Sequence, residues 1–207
     1  MADKLARYGF APDWVDTACL LIRNVLTTPL NGERSFTLST LGAGDRLHEV
    51  EFHVPLELIT PKGLGSFLAP EEGHGESSAG GLIRKLGFRP VKGMLKGYID
   101  LVFHRGGRYY IVDWKSNYLG ANPKDYAGAY LSAAMGREFY TLQYHLYTVA
   151  LHRFLELRLP DYQYDKHFGG VYYLFLRGMG PTGEYGVLFD RPSTERIKAF
   201  AHYVTGR

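Results

Sequence analysis

Asp100, Asp113 and Lys115 form the most reactive grouping in the chain. They lie in Gly97–Asn117, GYIDLVFHRGGRYYIVDWKSN, which reads as two strands around a Gly106-Gly107 turn. Pairing about that turn sets Asp100 across from Asp113, and such partners stand about 5 Å apart at Cβ on one face. Two carboxylates that close repel unless a proton or cation lies between them. Lys115 is two residues beyond Asp113 and so points to the same face. Phosphodiester hydrolysis needs this set: carboxylates to hold a divalent cation, and an ammonium to orient water or offset phosphate charge. Trp114 points the opposite way, into an apolar layer, with its backbone carbonyl within reach of a metal. Ile99, Leu101, Ile111 and Val112 are apolar, against a solvated hairpin with a plain Asp–Lys ion pair.

Other elements must position this hairpin. His48–Val54 alternates polar and apolar residues as a half-buried strand, with Glu49 and Glu51 on one face as candidate third carboxylates. Gln143 and Tyr147, four apart, share a face of a long helix over Arg137–Leu157. Gly170–Leu176, GVYYLFL, reads as a buried central strand. Pro12–Leu26 has helical spacing with Trp14, Ala18, Leu21, Ile22 and Val25 on one side, after a loose lead-in over residues 1–10. A turn over Thr27–Arg34, a strand over Ser35–Leu41 and short helices over Ile59–Leu68 and Tyr126–Ala134 complete the outline. So do a soft loop over Pro70–Gly81, a helical turn over Leu82–Leu86 and a closing helix over Pro192–Tyr203. The order predicts one α/β domain, 1–207, with a mixed sheet flanked by helices.

Composition narrows the classes. The chain has 207 residues, 45% apolar and 22% charged, enough for one sizeable core. A net charge of +3 permits a polyanionic partner without demanding one. Arg84, Lys85, Arg89, Lys92 and Lys96 form a candidate stripe for a DNA backbone. Cys19 stands alone, which excludes an internal disulfide and a cysteine zinc site and suits a cytoplasmic setting. No apolar run approaches a membrane span. There is no P-loop. Gly178–Gly183 matches G-x-G-x-x-G, but Pro181 and the strand-like EYGVLF after it mark a hairpin loop. His145 and His152, seven apart on one helical face, read as packing or surface residues rather than metal ligands.

The D-W-K after a strand bearing G-x-x-D resembles the PD-(D/E)XK nuclease motif. The longer strings, GMLKGYIDLVFHRGGRYYIVDWKSNYLG and QYHLYTVALHRFLELRLPDYQYDKHFGGVYYLFLRGM, resemble the nuclease domains of RecB-type helicase–nucleases, from about Trp14 to Arg191. The resemblance implies a restriction-endonuclease-like fold. It implies Asp100 and Asp113 as metal ligands, Lys115 as the catalytic lysine, and Glu49 as a further active-site acid with Glu51 as the fallback. It makes Gln143 and Tyr147 a Q-x-x-x-Y motif near the DNA path. It implies Mg²⁺, with Ca²⁺ or Mn²⁺ able to replace it in binding, and ATP used only by helicase domains outside this chain. The activity implied is an exodeoxyribonuclease acting on unwound DNA in double-strand-break repair and recombination. The implied partners are DNA, RecC- and RecD-like subunits and RecA. A docking module with little activity of its own is the competing expectation. The family's upstream histidine, in a G-x-x-x-H setting, has no counterpart before Glu49, which is the mark expected of an excised fragment with weakened metal affinity.

Overall fold

The computed structural model describes residues 1–30, 36–68 and 88–206. Five strands form one sheet in the order β1-β2-β3-β4-β5. β2 (Val91–Arg105) runs antiparallel to both of its neighbours, β1 (Arg46–Ile59) and β3 (Arg108–Lys115). β4 (Phe168–Phe175) lies parallel to β3, and β5 (Val187–Asp190) returns antiparallel to β4. Gly106 and Gly107 have φ of 58° and 75°, the pair of left-handed residues that a tight hairpin turn matched to strand twist requires. The parallel step from β3 to β4 needs a crossover, which α4 (Gly128–Arg137), α5 (Tyr140–Arg158) and the short α6 (Tyr164–His167) supply.

Both faces of the sheet are covered, so its centre is apolar throughout; every residue of β4 is buried. On one face α4, α5 and α7 (Thr194–Thr205) cover Val102, Ile111, Val171, Tyr173 and Phe175. On the other, Val25 of α2 (Trp14–Thr27), with Leu30, Phe36 and Leu38, covers Leu101, Phe103, Val112, Tyr172 and Leu174. The helix ends follow local chemistry. Thr60 caps α3 (Pro61–Phe67) by accepting the Gly63 N–H, and Ser193 caps α7 by accepting the Arg196 N–H.

Several expectations are corrected. Leu38–Thr40 is a 3₁₀ turn, not part of a strand, because Phe36 and Leu38 bury themselves under the sheet instead of pairing beside it. In α2 only Val25 is buried; Trp14 and Ile22 face outward, 55% and 41% exposed. Ala2–Arg7 forms a helix, α1, within the expected lead-in, and buries none of its side chains. The loop over 70–81 and the helical turn over 82–86 lie outside the described residues, as do Asn31–Ser35 of the expected turn and strand and Arg84 and Lys85 of the basic stripe. Lys92 and Lys96 are each committed to an acid, at 2.8 Å from Glu57 and 3.0 Å from Glu51, so their charges are offset rather than offered along a stripe. Among the described residues no helix is long and apolar enough to cross a membrane.

Candidate active site

β3 alternates strictly, and that places the chemistry. Ile111 faces the larger core and Val112 the smaller, so Asp113 and Lys115 face α5 while Trp114 packs on the smaller core. Both charged side chains are almost fully buried, Asp113 at 3% and Lys115 at 8% exposure. Lys115 Nζ lies 2.5 Å from Asp113 Oδ2. Yet no donor points along a hydrogen-bond direction at that oxygen, which is sealed from solvent. Burial pushes the Asp113 carboxyl up to about 6; Lys115 opposes the shift and the nearby Asp100 adds to it.

Asp100 reaches this pair by a different route from a regular ladder. The β2–β3 pairing ends at Leu101 with Val112, one position short of Asp100 with Asp113. Asp100 Oδ2 instead accepts the Trp114 backbone N–H at 2.9 Å, binding the acid to the strand between Asp113 and Lys115. β1 and β2 are interrupted together at this level. His48 pairs with Leu101 and Val50 with Ile99, in the same register, while the facing pair Glu49 and Asp100 drops out of the ladder. Glu49 has φ of 51°, a left-handed backbone rare for a side chain other than glycine. Strict alternation would put residues three apart on opposite faces. Instead Ile99 and Val102 line one apolar cleft, as do Leu47 and Val50 opposite them. Each strand therefore spends one residue out of phase, and the two residues spent are Glu49 and Asp100. Among the described residues, however, no three His, Cys, Asp or Glu side chains close on one point, so Glu49, exposed on β1, does not join the two acids. Glu51, the fallback, is occupied: Tyr98 OH donates to it at 2.8 Å and Lys96 pairs with it.

α5 supplies the second half of the site. Lys115 Nζ donates to Gln143 Oε1 at 3.0 Å, and Gln143 Nε2 donates to the Tyr147 hydroxyl at 2.7 Å. Tyr173, beside Asp113 on β4, donates to the same Gln143 oxygen at 3.0 Å. The Tyr147 ring meets the Phe52 ring edge-on at 5.5 Å, linking α5 to β1. Asp100, Asp113, Lys115, Gln143 and Tyr147 thus belong to one assembly. Three of its members were not singled out from the sequence. Tyr140 and Tyr173 flank Lys115, at 3.8 Å and 5.1 Å from Nζ to ring centroid, and Asn117 accepts the Tyr140 hydroxyl at 3.0 Å. A signal existed for Tyr140, which stands three residues before Gln143 and seven before Tyr147, on the same helical face. Nothing local marks Tyr173 within an all-apolar strand.

His145 and His152 are buried, as packing residues. The G-x-G-x-x-G stretch joins β4 to β5 through a 3₁₀ turn, Leu176–Gly178, and opens no helix.

A model of the PD-(D/E)XK nuclease superfamily matches residues 49–205. The RecBCD enzyme subunit RecB of Escherichia coli (strain K12) is 42% identical over 197 residues, which cover 94% of this chain and 16% of that protein. The RecB subunit of Haemophilus influenzae is 38% identical over 176 residues, 85% of this chain and 14% of the relative. That of Mycobacterium tuberculosis (strain ATCC 25618 / H37Rv) is 40% identical over 172 residues, 73% and 15%. The chain spans about a sixth of the length of these curated relatives.

Proposed function

Because the chain belongs to the PD-(D/E)XK nuclease superfamily, we propose that it is the DNA-cutting domain of a RecB-type helicase–nuclease, hydrolysing phosphodiester bonds of unwound DNA during break repair and recombination. The observation that carries this reading is the juxtaposition of Asp100, Asp113 and Lys115, with Asp100 bonded to the Trp114 N–H and Lys115 bonded to Gln143. The match to RecB subunits supports DNA as the substrate and RecC- and RecD-like proteins as partners of the whole protein.

The donor set fits a hard divalent cation. Carboxylate oxygens are the ligands Mg²⁺ prefers, and a buried Asp113 oxygen without an aligned donor is a group a cation would satisfy. Asp100 and Asp113 would hold it, with the Trp114 carbonyl between them and Glu49 as a further acid. When bound, Mg²⁺ lowers the pKa of a coordinated water and polarises the phosphate. The side chains of this chain do the rest. Lys115, fixed by Gln143 and Asp113, presents its remaining N–H to the attacking water or to a phosphate oxygen as charge develops there. Gln143 and Tyr147, charge-neutral and on the adjoining helix, hold the lysine and flank the path of the strand.

The test is cleavage of single-stranded DNA by this chain with Mg²⁺, with EDTA, and by Asp113→Ala. Metal-dependent cutting lost in the variant supports the reading. Cutting that survives both EDTA and Asp113→Ala overturns it.

A further inference from the structure

Lys115 stands against an aromatic ring, and that ring is itself anchored to the strand end carrying the lysine. The Tyr140 ring lies 3.8 Å from Nζ, in the range where an ammonium is drawn to the negative face of a π system. The Tyr140 hydroxyl donates to Asn117 Oδ1, two residues beyond Lys115. The Tyr173 hydroxyl shares its one proton between Gln143 Oε1 at 3.0 Å and the Tyr140 carbonyl at 3.3 Å. Tyr140 opens α5 directly after Phe139, whose φ of 57° puts it in the left-handed region. That reversal turns the chain from α4 into α5 and sets the first residue of α5 over β3.

We propose that Tyr140 is a positioning residue for Lys115: a π platform, fastened through Asn117, that fixes the ammonium beside Asp113. The proposal rests on the nuclease reading above and deepens it. Gln143 and Asp113 hold the ammonium from two sides, by a hydrogen bond and an ion pair. The ring closes a further side, and the Asn117 bond stops the ring from turning away. Because ring attraction needs no hydrogen-bond donor of the ammonium, it leaves the N–H groups of Lys115 for Gln143 and the reacting phosphate.

Two readouts test it on this chain. In protein carrying ¹³C-labelled lysine, with Lys115 assigned through Lys115→Arg, the Lys115 ε-methylene protons are expected upfield of the other lysines because the adjoining Nζ lies over the Tyr140 ring. Tyr140→Leu returns them to the ordinary position, and Tyr140→Phe keeps most of the shift. In single-turnover cleavage of single-stranded DNA with Mg²⁺, Tyr140→Leu slows the step at saturating DNA about tenfold with DNA affinity unchanged, and Tyr140→Phe restores most of the rate. An unshifted Lys115 in the unmodified chain overturns the proposal, and needs no variant to fold. So does Tyr140→Leu cutting at the full rate, or a loss that lies wholly in DNA affinity. Failure of the unmodified chain to cut, with the ring shift present, instead removes the nuclease reading and leaves the Lys115–Tyr140 contact standing.

Discussion

Glu49 and Asp100 face each other across β1 and β2 at the level where both strands leave the ladder and then rejoin it in unchanged register. One residue is given up on each strand, so the sheet keeps its pairing while two acids escape the alternation that governs their neighbours. The cost is visible at Glu49, which holds a left-handed backbone. Residues held in such sparsely populated backbone conformations cluster at functional sites.

Glu49→Gly should therefore stabilise the fold by about 1 kcal/mol, since glycine adopts that backbone freely. The same change should lower DNA cleavage about a hundredfold if Glu49 serves as an active-site acid. A thermal melt and a cleavage assay on one preparation check both. A Glu49→Gly protein that is less stable than its parent would show that the backbone is not strained.

Asp113 makes stability depend on pH and metal. Its folded pKa, about 6, lies above the unfolded value, so the stabilisation it gives is complete below pH 4 and is lost as pH rises through about 6. In EDTA, Asp113→Asn and the parent should match near pH 4, while at pH 7.5 the variant should be more stable by on the order of 2–3 kcal/mol. Added Mg²⁺ or Mn²⁺ should raise the melting temperature of the parent and leave that of Asp113→Asn unmoved. Melts across pH with and without metal measure all three.

Gln143 holds Lys115 and Tyr173 with one oxygen and Tyr147 with its amide nitrogen. Gln143→Leu removes an acceptor from Lys115 and Tyr173, which keep Asp113 and the Tyr140 carbonyl, and the donor to Tyr147, at a cost of about 1–3 kcal/mol. Cleavage should fall by up to about a hundredfold through misplacement of the lysine. Tyr147→Phe, which removes only the acceptor of the Gln143 amide, should fall less. Rate constants for the two variants in parallel decide the order.

Gly97 lies under Phe52, and a Cβ there would come 2.5 Å from the ring. Gly97→Ala should destabilise the chain by about 1–3 kcal/mol through overpacking. Because Phe52 also meets Tyr147, the ring pushed aside should disturb the α5 side of the site. Phe52→Leu in the same chain should recover part of the stability. Chemical denaturation of the single and double variants measures the coupling.

His145 is a second buried titrating group, of opposite sign. Its Nδ1 lies 2.7 Å from the Thr141 carbonyl and so carries the proton, and its Nε2 accepts from Arg196 Nε at 3.1 Å. Burial lowers its pKa to about 4, so its contribution is present above pH 6.5 and is lost as pH falls through 4. At pH 5.5 its ¹⁵N shifts should still report the neutral Nδ1–H tautomer. A protonated imidazole at that pH would contradict the Arg196 contact.

Much of this site was legible before folding. The Gly106-Gly107 turn and the two-residue period of a strand suffice to put Asp113 and Lys115 on one face and Trp114 on the other, because both rules act between near neighbours. The apolar run of β4 and the face shared by Gln143 and Tyr147 are local patterns of the same kind. Tertiary structure decided what depends on residues distant in sequence. Asp100 bonds to the Trp114 N–H instead of continuing the ladder because β2 must also accommodate β1, whose reversed backbone at Glu49 no periodicity announces. Lys115 reaches Gln143, Tyr140 and Tyr173 only because the crossover brings α5 and β4 over the end of β3. Trp14 and Ile22 lie outside for the converse reason: helical spacing names an apolar face, but only the packed sheet determines how much of that face is covered.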